Sequence, residues 1–423
     1  MQAPTQTQSV VSFFGFTSKQ DIVDASRAYW NPSKVDFWKD QDIPLVIGER
    51  HGYELFDVDG HRLLDVHLNG GTFNLGHRNP DLVRRLQEAL ELTDVGNHHF
   101  PSAGRAALAK ALVESVPTPM SKVVFASAGG EAVDVAIKSA RWATGRRTIV
   151  SAVNSYHGHT GLAVATGNPR FSEYFLSDRP DEFLQVAYND IAALRYVLDR
   201  EDVAAVIMET IPATSGFPMP EPGYLGAVAE AAAAAGALYI ADEVQVGLGR
   251  TGSMWAFSKH DVTPDIVVTG KGLGGGLYPI AAAILNEKAA GWLFEDGMAH
   301  NGTFAGAELG CAVATEVLRI TADPTTQANV TAVAAQLADG LEVLRHKYPR
   351  LREIRQDGLV IGLRFAGDDG AVPVMRELYR QGVWAIVASF DTRVLQFKPG
   401  LLLSSAQADE VLAILDSTLM ELR

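Results

Sequence analysis

Cysteine is almost absent from this sequence. Of 423 residues only Cys311 carries a thiol, so no internal disulfide can form and no oxidising compartment is needed. Cys311 lies in the run from Ala307 to Ala312, where small and apolar residues predominate. That setting is typical of a buried helix face, and we interpret Cys311 as a packing residue rather than a nucleophile.

Basic residues are outnumbered by acidic ones. The chain has 36 lysines and arginines against 50 aspartates and glutamates, which gives a net charge of −14. Nucleic acids demand basic surface because their backbone phosphates are negative. The sequence therefore predicts no nucleic-acid partner.

Long hydrophobic runs are also lacking. No stretch approaches the roughly 18 uninterrupted apolar residues of a membrane helix. The first basic residue is Lys19, and the apolar segment Val10–Phe16 is too short for the core of a secretory signal. We therefore expect a cytoplasmic protein without a membrane partner.

The pattern of apolar residues indicates more than one lobe. Residues 1–40 are expected to be irregular, with helical character around Ile22–Trp30, and Tyr53–Asp65 alternates around an Asp-Gly pair, which predicts a β-hairpin. From about residue 70 to 310, short apolar runs alternate with helix-length amphipathic segments, which predicts an α/β fold with a mostly parallel sheet between helices. The predicted strands are Val123–Ala126, Thr148–Val153, Val203–Met208, Leu238–Ala241 and Asp265–Thr269.

The pattern changes again after about residue 310. Two helices, separated at a proline, lead into short strands and helices, and the last helix begins with Ser404 and Gln407 in the spacing of a capping box. We predict a large domain of residues 69–308 and a small α+β domain of residues 309–423, with the N-terminal segment 1–68 packed on the small domain.

Three reactive side chains follow predicted strands. Ligands bind at the carboxyl ends of the strands in an open parallel sheet, so Glu209, Asp242 and Lys271 are expected to face one crevice. Glycines on both sides of Lys271 leave room for a bulky planar partner, and a desolvated lysine is a nucleophile toward carbonyls. A nucleotide phosphate loop is excluded, because Asp265 and Gly272 stand where its glycine and hydroxyl residue belong.

A phosphate site is predicted where Gly129 and Gly130 precede a helix over Glu131–Thr144. Backbone N–H groups at a helix start attract anions, and the helix dipole adds to the attraction. A simple strand-to-helix turn would carry the same glycines. Tyr156 and His157 follow the next strand, where an aromatic ring can stack on a cofactor.

The order and spacing of these segments resemble the class III, or omega-type, aminotransferases, which have the fold type I architecture of pyridoxal 5′-phosphate (PLP) enzymes. The resemblance runs from about Gly48 to the C-terminus. The matching segments are Phe56–Asp65, Leu75–Pro80, Ala128–Ala132, Ser155–Gly158, Asp242–Gln245, Gly249–Gly252, Thr269–Gly274 and Asn301–Phe304.

The resemblance implies that Lys271 holds PLP as a Schiff base and that Asp242 pairs with the pyridine nitrogen, which makes the ring an electron sink. It also implies that Thr303 reaches the phosphate in the neighbouring subunit, so that a homodimer shares its active sites. The other implied cofactor contacts are Gly129 and Gly130 at the phosphate, Tyr156 and Val244 on the two ring faces, His157 and Glu209 nearby, and Gln245 at the phenolic oxygen.

The implied reaction is transamination between an amino donor and a keto or aldehyde acceptor, both small molecules. The cofactor alternates between PLP and pyridoxamine 5′-phosphate, and Lys271 acts as general base and acid.

Two positions depart from the ornithine-type members of the family. Gln396 stands where those enzymes hold the substrate α-carboxylate with an arginine, and Thr214 stands where a glutamate switches with that arginine. We therefore expect a substrate that is not a common α-amino acid held through this pair. A less usual amine, an amino sugar or cyclic intermediate, and a β- or ω-amino acid all fit.

Further substrate residues are suggested by their segments: Asn69, Phe73, His98 and His99 are candidates for the pocket, and Arg170, Arg393 and Lys398 are candidates for holding a carboxylate. The adjacent pair at residues 98–99 consists of two histidines, but no third ligand at a sensible spacing accompanies it, so we predict no metal site.

Two alternatives stay open from the sequence. Racemases, an aminomutase and lyases of the same family share the lysine and the aspartate, and their outcome depends on where protons are delivered. The second alternative is an inactive binding protein of the same fold. The presence of Lys271, Asp242 and the phosphate-loop glycines argues against it, because an inactive relative would be expected to lose one of them.

Overall fold

The computed structural model describes residues 9–422. Three helices open this part of the chain and lead into a three-stranded antiparallel meander, which three more helices follow. In order they are α1 (Val10–Phe13), α2 (Lys19–Tyr29), α3 (Pro32–Asp40), β1 (Ile47–His51), β2 (Glu54–Asp57), β3 (Arg62–Asp65), α4 (Leu68–Gly71), α5 (Pro80–Leu90) and α6 (Ala103–Ser115).

The prediction of an irregular start was wrong for α1 and α3, whereas α2 confirms the helix expected around Ile22–Trp30; residues 1–8 of that prediction lie outside the described residues. The Asn31 side chain caps α3 and Pro32 occupies its first position, which are both helix-start signals. The predicted hairpin is confirmed, because β2 and β3 are antiparallel with Phe56 opposite Arg62. Gly60, in the turn between them, has a φ of +93°, a conformation that favours glycine.

The central part of the chain alternates strands and helices. It also contains two 3₁₀ helices, Ala256–Lys259 and Lys271–Gly274. The other elements are β4 (Lys122–Ala126), α7 (Gly129–Thr144), β5 (Thr148–Ala152), α8 (Gly161–Thr166), α9 (Pro169–Glu173), β6 (Phe183–Val186), α10 (Ile191–Leu198), β7 (Val203–Glu209), α11 (Tyr224–Ala234), β8 (Leu238–Asp242), β9 (Ile266–Thr269), β10 (Ala281–Leu285) and α12 (Trp292–Glu295).

These seven strands form one sheet in the order β4-β10-β9-β8-β7-β5-β6. Strand β10 runs antiparallel to β4 and β9, and the other neighbours are parallel. The prediction of a mostly parallel sheet is therefore confirmed. Because β7 and β8 are parallel and in register, Glu209 lies opposite Asp242 at their carboxyl ends, and Lys271 follows β9 by two residues.

Helices cover both faces of this sheet. Along β7, Ala205 and Ile207 belong to the apolar cluster on the side of α7, whereas Val206 and Met208 belong to the cluster that contains Val228 of α11. Every residue of β7 is buried. A strand buried on both faces has to be apolar throughout, which is why these strands read as continuous apolar runs in the sequence.

The C-terminal part forms a second sheet in the order β11-β12-β15-β14. The elements of this part of the chain, in order, are α13 (Glu308–Ala322), α14 (Pro324–Lys347), β11 (Leu351–Asp357), β12 (Val360–Phe365), α15 (Val372–Gln381), β13 (Val383–Trp384), β14 (Ile386–Ala388), β15 (Asp391–Phe397) and α16 (Ser405–Glu421), of which β13 belongs to the sheet of the N-terminal meander.

The N-terminal meander and the C-terminal part share a core. Strand β13 pairs in parallel with β3, with Val383 opposite Leu64, and the same apolar cluster contains Leu395 of β15 and Leu415 of α16. The domain boundaries after residues 68 and 308 stay a prediction. Within residues 9–422 no helix has the length and apolar character that crossing a lipid bilayer requires.

Candidate active site

A cavity of about 280 Å³ opens at the carboxyl edge of the large sheet. It collects side chains and backbone from the ends of β4, β5, β7 and β8 and from the turn after β9. Its lining comprises Ala128, Gly129, Gly130, Tyr156, His157, Gly158, His159, Thr160, Glu209, Asp242, Val244, Gln245 and Lys271.

Asp242 is held from two sides. One carboxylate oxygen lies 2.7 Å from Nδ1 of His157, and the other accepts a hydrogen bond of 3.1 Å from the backbone N–H of Val244. The Nε2 atom of His157 is buried and has no hydrogen-bond partner in the described part of the chain. His157 thus supports the carboxylate from behind, and Asp242 faces the cavity.

Lys271 begins a 3₁₀ helix with a φ of +39°, a conformation that costs a non-glycine residue energy. Burial lowers its pKa; the carboxylates of Asp242 and Glu209 oppose this shift, and the charge of Arg250 adds to it. A side chain at Gly70 would come within 3.2 Å of Lys271 Cε and 3.3 Å of Gln245 Oε1. Glycine at position 70 therefore leaves space beside both groups.

Glu209 is buried and accepts two backbone hydrogen bonds, from Tyr156 N–H at 2.9 Å and from Ala213 N–H at 3.2 Å. Burial raises its pKa, the charge of His157 opposes this rise, and that of Asp242 adds to it. Glu209 thereby fixes the segment that carries Tyr156 over the cavity.

The opposite end of the cavity is the start of α7. This helix begins at Gly129 after Ala128, which cannot supply a capping side chain, so the first N–H groups remain open. A Cβ atom at Gly129 would lie 3.0 Å from Val244 Cγ1, and one at Gly130 would lie 2.9 Å from Thr160 Oγ1. Both glycines are required by close packing, and the helix start is suited to an anion.

Four aromatic rings extend from the cavity toward the C-terminal part. The ring of Tyr156 lies 5.0 Å from that of His159, His159 lies 4.4 Å from Phe171, and Phe171 lies 5.8 Å from Phe390. Burial lowers the pKa of His159, and the charge of Lys34 lowers it further. These rings form one wall of the approach to the cavity.

These residues fit PLP. The cavity offers one group for each part of that cofactor. The amine of Lys271, with its lowered proton affinity, suits the carbonyl, and the supported carboxylate of Asp242 suits the pyridine nitrogen. Apolar and aromatic neighbours suit the flat ring, and the uncapped start of α7 suits the phosphate. Of the residues predicted to bind the cofactor, only Thr303 lies outside this lining; it is exposed in the loop before α13.

The predicted substrate residues Asn69, Phe73 and Arg170 lie outside the lining of this cavity, although Asn69 adjoins Gly70, which lies beside Lys271. Asn69 is exposed with a φ of +48°, and the Phe73 ring packs 3.9 Å from that of His77. Arg170 is exposed, with its guanidinium 5.7 Å from the centre of the Phe171 ring. None of these three lines the cavity.

Gln396 and Thr214 are engaged by backbone. Gln396 Nε2 donates a hydrogen bond of 2.7 Å to the carbonyl of Ala213, and Thr214 Oγ1 donates one of 3.1 Å to the carbonyl of Asn154. The backbone N–H of Phe390 donates to the carbonyl of Thr214 at 3.0 Å. The two departures from the ornithine-type pattern thus join the C-terminal sheet to the loop after β7.

Sequence reasoning missed His159 and Thr160 in the lining and His67 near Lys271. The first two continue the Tyr156-His157 segment, so extending that segment would have found them. No local signal distinguishes His67. Among the described residues no group of three histidines, cysteines or acidic residues is arranged to hold a metal ion, and the tilted rings of His98 and His99 lie 4.1 Å apart.

Comparisons with known proteins show the family of this chain. The family model for aminotransferase class III matches residues 37–419. An uncharacterised aminotransferase of Archaeoglobus fulgidus is 42% identical over 402 residues, which cover 95% of this chain and 94% of that protein.

Solved structures give the same family. The ornithine aminotransferase of Toxoplasma gondii is 25% identical with a TM-score of 0.88, and 97% of each chain is covered. A second structure of that enzyme, 26% identical with a TM-score of 0.88 over 97% of this chain and 96% of the other, has PLP at partial occupancy in its active site. The N-acetylornithine aminotransferase of Stenotrophomonas maltophilia is 28% identical with a TM-score of 0.78, over 92% and 99% of the two chains.

The named relatives are aminotransferases, so the racemase, aminomutase and lyase alternatives are not favoured. The fold type I architecture, the reaction class and the cofactor expected from the sequence are confirmed. This chain belongs to the class III aminotransferases, and it is a PLP-dependent transaminase.

Proposed function

We propose that this transaminase holds PLP on Lys271 and transfers an amino group from an amine that is not gripped by an arginine–glutamate pair. The observation that carries the first part is the convergence of Lys271, Asp242 and the uncapped start of α7 on one cavity. The observation that carries the second is the backbone engagement of Gln396 and Thr214.

Each cofactor contact has a physical reason. Asp242 would face the pyridine nitrogen and keep it protonated, and His157 holds that carboxylate in place. The N–H groups at Gly129 and Gly130 would bind the phosphate. PLP, when bound, would supply an electron sink for charge that develops on the substrate carbon. Val244 and Tyr156, which line the cavity, would cover the two faces of the ring, and Gln245 would contact the phenolic oxygen.

Lys271 moves the proton. Because burial lowers its pKa, its Nζ has a reduced tendency to hold a proton and is suited to act as a general base. Nζ would take the proton from the carbon that bears the amino group and return it to the cofactor carbon at which the amino group is taken up, so that no proton is gained or lost. The rings of Tyr156, His159 and Phe171 line one side of the approach to this lysine.

The test of this function is spectroscopic. Purified protein given PLP should show an absorbance band near the boundary of visible and ultraviolet light, and Lys271→Ala should abolish it. A panel of amines is then added to the loaded enzyme, and conversion to the pyridoxamine form identifies donors. Absence of the band in the wild-type protein contradicts the proposed role of Lys271.

The substrate part has its own test. Gln396→Arg restores the arginine of the ornithine-type enzymes, and it should raise turnover of ornithine-like donors relative to the wild type. An unchanged preference across the amine panel contradicts the proposed role of position 396. Inversion of the donor's configuration without a carbonyl acceptor would identify racemisation instead.

The proposal includes a homodimer in which Thr303 completes the phosphate site of the partner. Its support is the exposure of Thr303 and of the neighbouring Phe304 in a loop whose Gly302 approaches Glu131 at the start of α7. Mixing subunits that carry Lys271→Ala with subunits that carry Thr303→Ala should restore activity in hybrid dimers. A monomeric and active enzyme would contradict this arrangement.

We also assign the protein to the cytoplasm. The one thiol of the sequence, Cys311, is buried, which agrees with a fold that uses no disulfide. Cell fractionation checks this assignment.

A further inference from the structure

Three cations were candidates for holding a substrate carboxylate, and two of them lie in settings unlike that of the third. Arg393 makes a two-pronged ion pair with Asp391, at 2.7 and 3.0 Å. Arg170 is exposed at the surface, with its guanidinium over the Phe171 ring. Neither is a buried cation without a countercharge.

Lys398 is different. It is 1% exposed, and within residues 9–422 no carboxylate lies within ion-pair distance of its Nζ. Its one hydrogen bond goes to Oε1 of Gln396, and its Nζ lies 5.6 Å from the centre of the buried Phe217 ring. A buried ammonium group is costly unless an anion accompanies it, so this site lacks a countercharge.

Two further buried nitrogen atoms near Lys398 have no hydrogen-bond partner among the described residues. They are His67 Nδ1 and Arg250 Nε. Burial lowers the pKa of His67, and the charges of Lys398, Arg250 and Lys271 lower it further, in that order. These four basic groups therefore cluster. The terminal guanidinium nitrogens of Arg250 donate to the carbonyls of Lys398 and Pro399 and to Asn74 Oδ1, whereas no carboxylate lies within ion-pair distance of Lys398 Nζ among the described residues.

The carboxylate of Asp65 is already engaged. It lies 2.8 Å from His77 Nε2, and it accepts the backbone N–H groups of His67 and Leu68 at 2.9 and 2.7 Å. Burial lowers the pKa of Lys398, the charges of Arg250 and Lys271 lower it further, and Asp65 only partly opposes them. A bound anion would supply Lys398 with the negative charge that Asp65 does not fully provide.

We propose that Lys398, together with Gln396 and His67, forms the subsite that binds a carboxylate of the amino-group donor or acceptor. This proposal rests on the proposed function, because it places the carboxylate beside the lysine that handles the amino group. The substrate class is then an amino acid whose carboxylate is bound by Lys398.

The first experiment compares amines that differ only in the acid group. The probes are β-alanine against propylamine, 4-aminobutyrate against butylamine, and L-alanine against isopropylamine, each titrated into the PLP-loaded enzyme while the cofactor absorbance is followed. The wild type should respond to at least one acid at about 10- to 100-fold lower concentration than to its partner amine, which is the range expected for a charged hydrogen bond. Lys398→Met should lose this preference.

Arg170→Gln and Arg393→Gln are the matched controls, because each removes a competing cation, and both should keep the wild-type preference. Lys398→Arg should keep most of it, because it retains the charge. A preference that survives in Lys398→Met, or that is lost in either arginine variant, overturns the proposal.

A second readout does not depend on turnover. Butanoate and glutarate should raise the melting temperature of the wild-type holoenzyme more than the neutral control butanamide does, and this difference should vanish in Lys398→Met. It separates failure of the subsite from failure of the transaminase proposal, since no amine has to react. If Lys398→Met does not fold, Lys398→Gln replaces it. If neither folds, the wild-type comparisons decide, and equal responses to acids and neutral partners overturn the proposal.

Discussion

Glu209 and Asp242 lie opposite each other at the ends of two parallel strands, yet the protein holds them differently. His157 and one backbone N–H secure Asp242, whereas Glu209 accepts only backbone donors. Burial raises the pKa of Glu209. The register of β7 and β8 thus supplies two carboxylates to one cavity, and their partners give them separate roles.

The first prediction concerns the pair of Asp242 and His157. Asp242→Asn should lower kcat about 10²- to 10⁴-fold, the range typical of groups that assist proton movement, while PLP still binds. His157→Ala should lower it about tenfold, because one hydrogen bond to a charged group is lost. Since His157 acts through Asp242, the double variant should be no slower than Asp242→Asn alone. Additive losses in a double-mutant cycle would show that His157 acts independently.

A second prediction tests the close packing at Gly129. Alanine there would bring Cβ to 3.0 Å from Val244 Cγ1 and push that side chain into the cofactor space. Overpacking costs about 1–3 kcal/mol, so the Kd for PLP should rise about tenfold or more.

The control for this substitution is Gly226→Ala in α11. Its Cβ would meet its nearest neighbour, the carbonyl of His260, at an ordinary 3.6 Å. Alanine is the better helix former, so this variant should bind PLP normally and gain about 0.5–1 kcal/mol in stability. Equal PLP affinity of the two variants would contradict the packing argument.

A third prediction concerns pH and Glu243. Burial raises the pKa of this carboxyl from 4.5 to about 7, although Thr210 and two backbone N–H groups, of Ala256 and Phe257, favour its charged form. The folded protein therefore keeps a proton that the unfolded chain releases. The resulting stability is fully present below pH 4.5 and is lost as the pH rises through about 7.

The difference of roughly 2.5 pKa units corresponds to about 3 kcal/mol. Chemical denaturation of the wild type and of Glu243→Gln between pH 5 and pH 8 measures it. The variant should show a smaller fall in the free energy of unfolding, because Glu209, whose pKa is also raised, remains in both proteins. Parallel curves would show that Glu243 does not titrate in this range.

A fourth prediction concerns the thiol. Cys311 is buried on α13, and burial raises its pKa to about 12. The thiolate is the reactive form, so an aromatic disulfide reagent at pH 8 should leave the native protein unmodified and should react with one thiol after denaturation. Rapid reaction of the native enzyme would contradict the packing role.

Much of the site could be predicted from the residues that end the apolar runs of the sequence. Asp242 and Glu209 terminate apolar runs, and a parallel sheet brings such residues to one edge. The antiparallel direction of β10 could not be foreseen, because the run from Ala281 to Leu285 is apolar whichever way it points. The isolation of Lys398 was equally hidden, since the absence of a countercharge depends on residues distant in sequence.

The pairing of β3 with β13 has a consequence for how the protein is made. Val383 leaves the ribosome about 320 residues after Leu64, which at roughly 5–20 residues per second is a delay of about 15–60 s. During that interval the first meander has no partner for its buried face. Because this pairing joins distant parts of the chain, we expect a chaperone to bind the first 65 residues early in synthesis. For the same reason, we expect chains truncated before β13 to aggregate transiently.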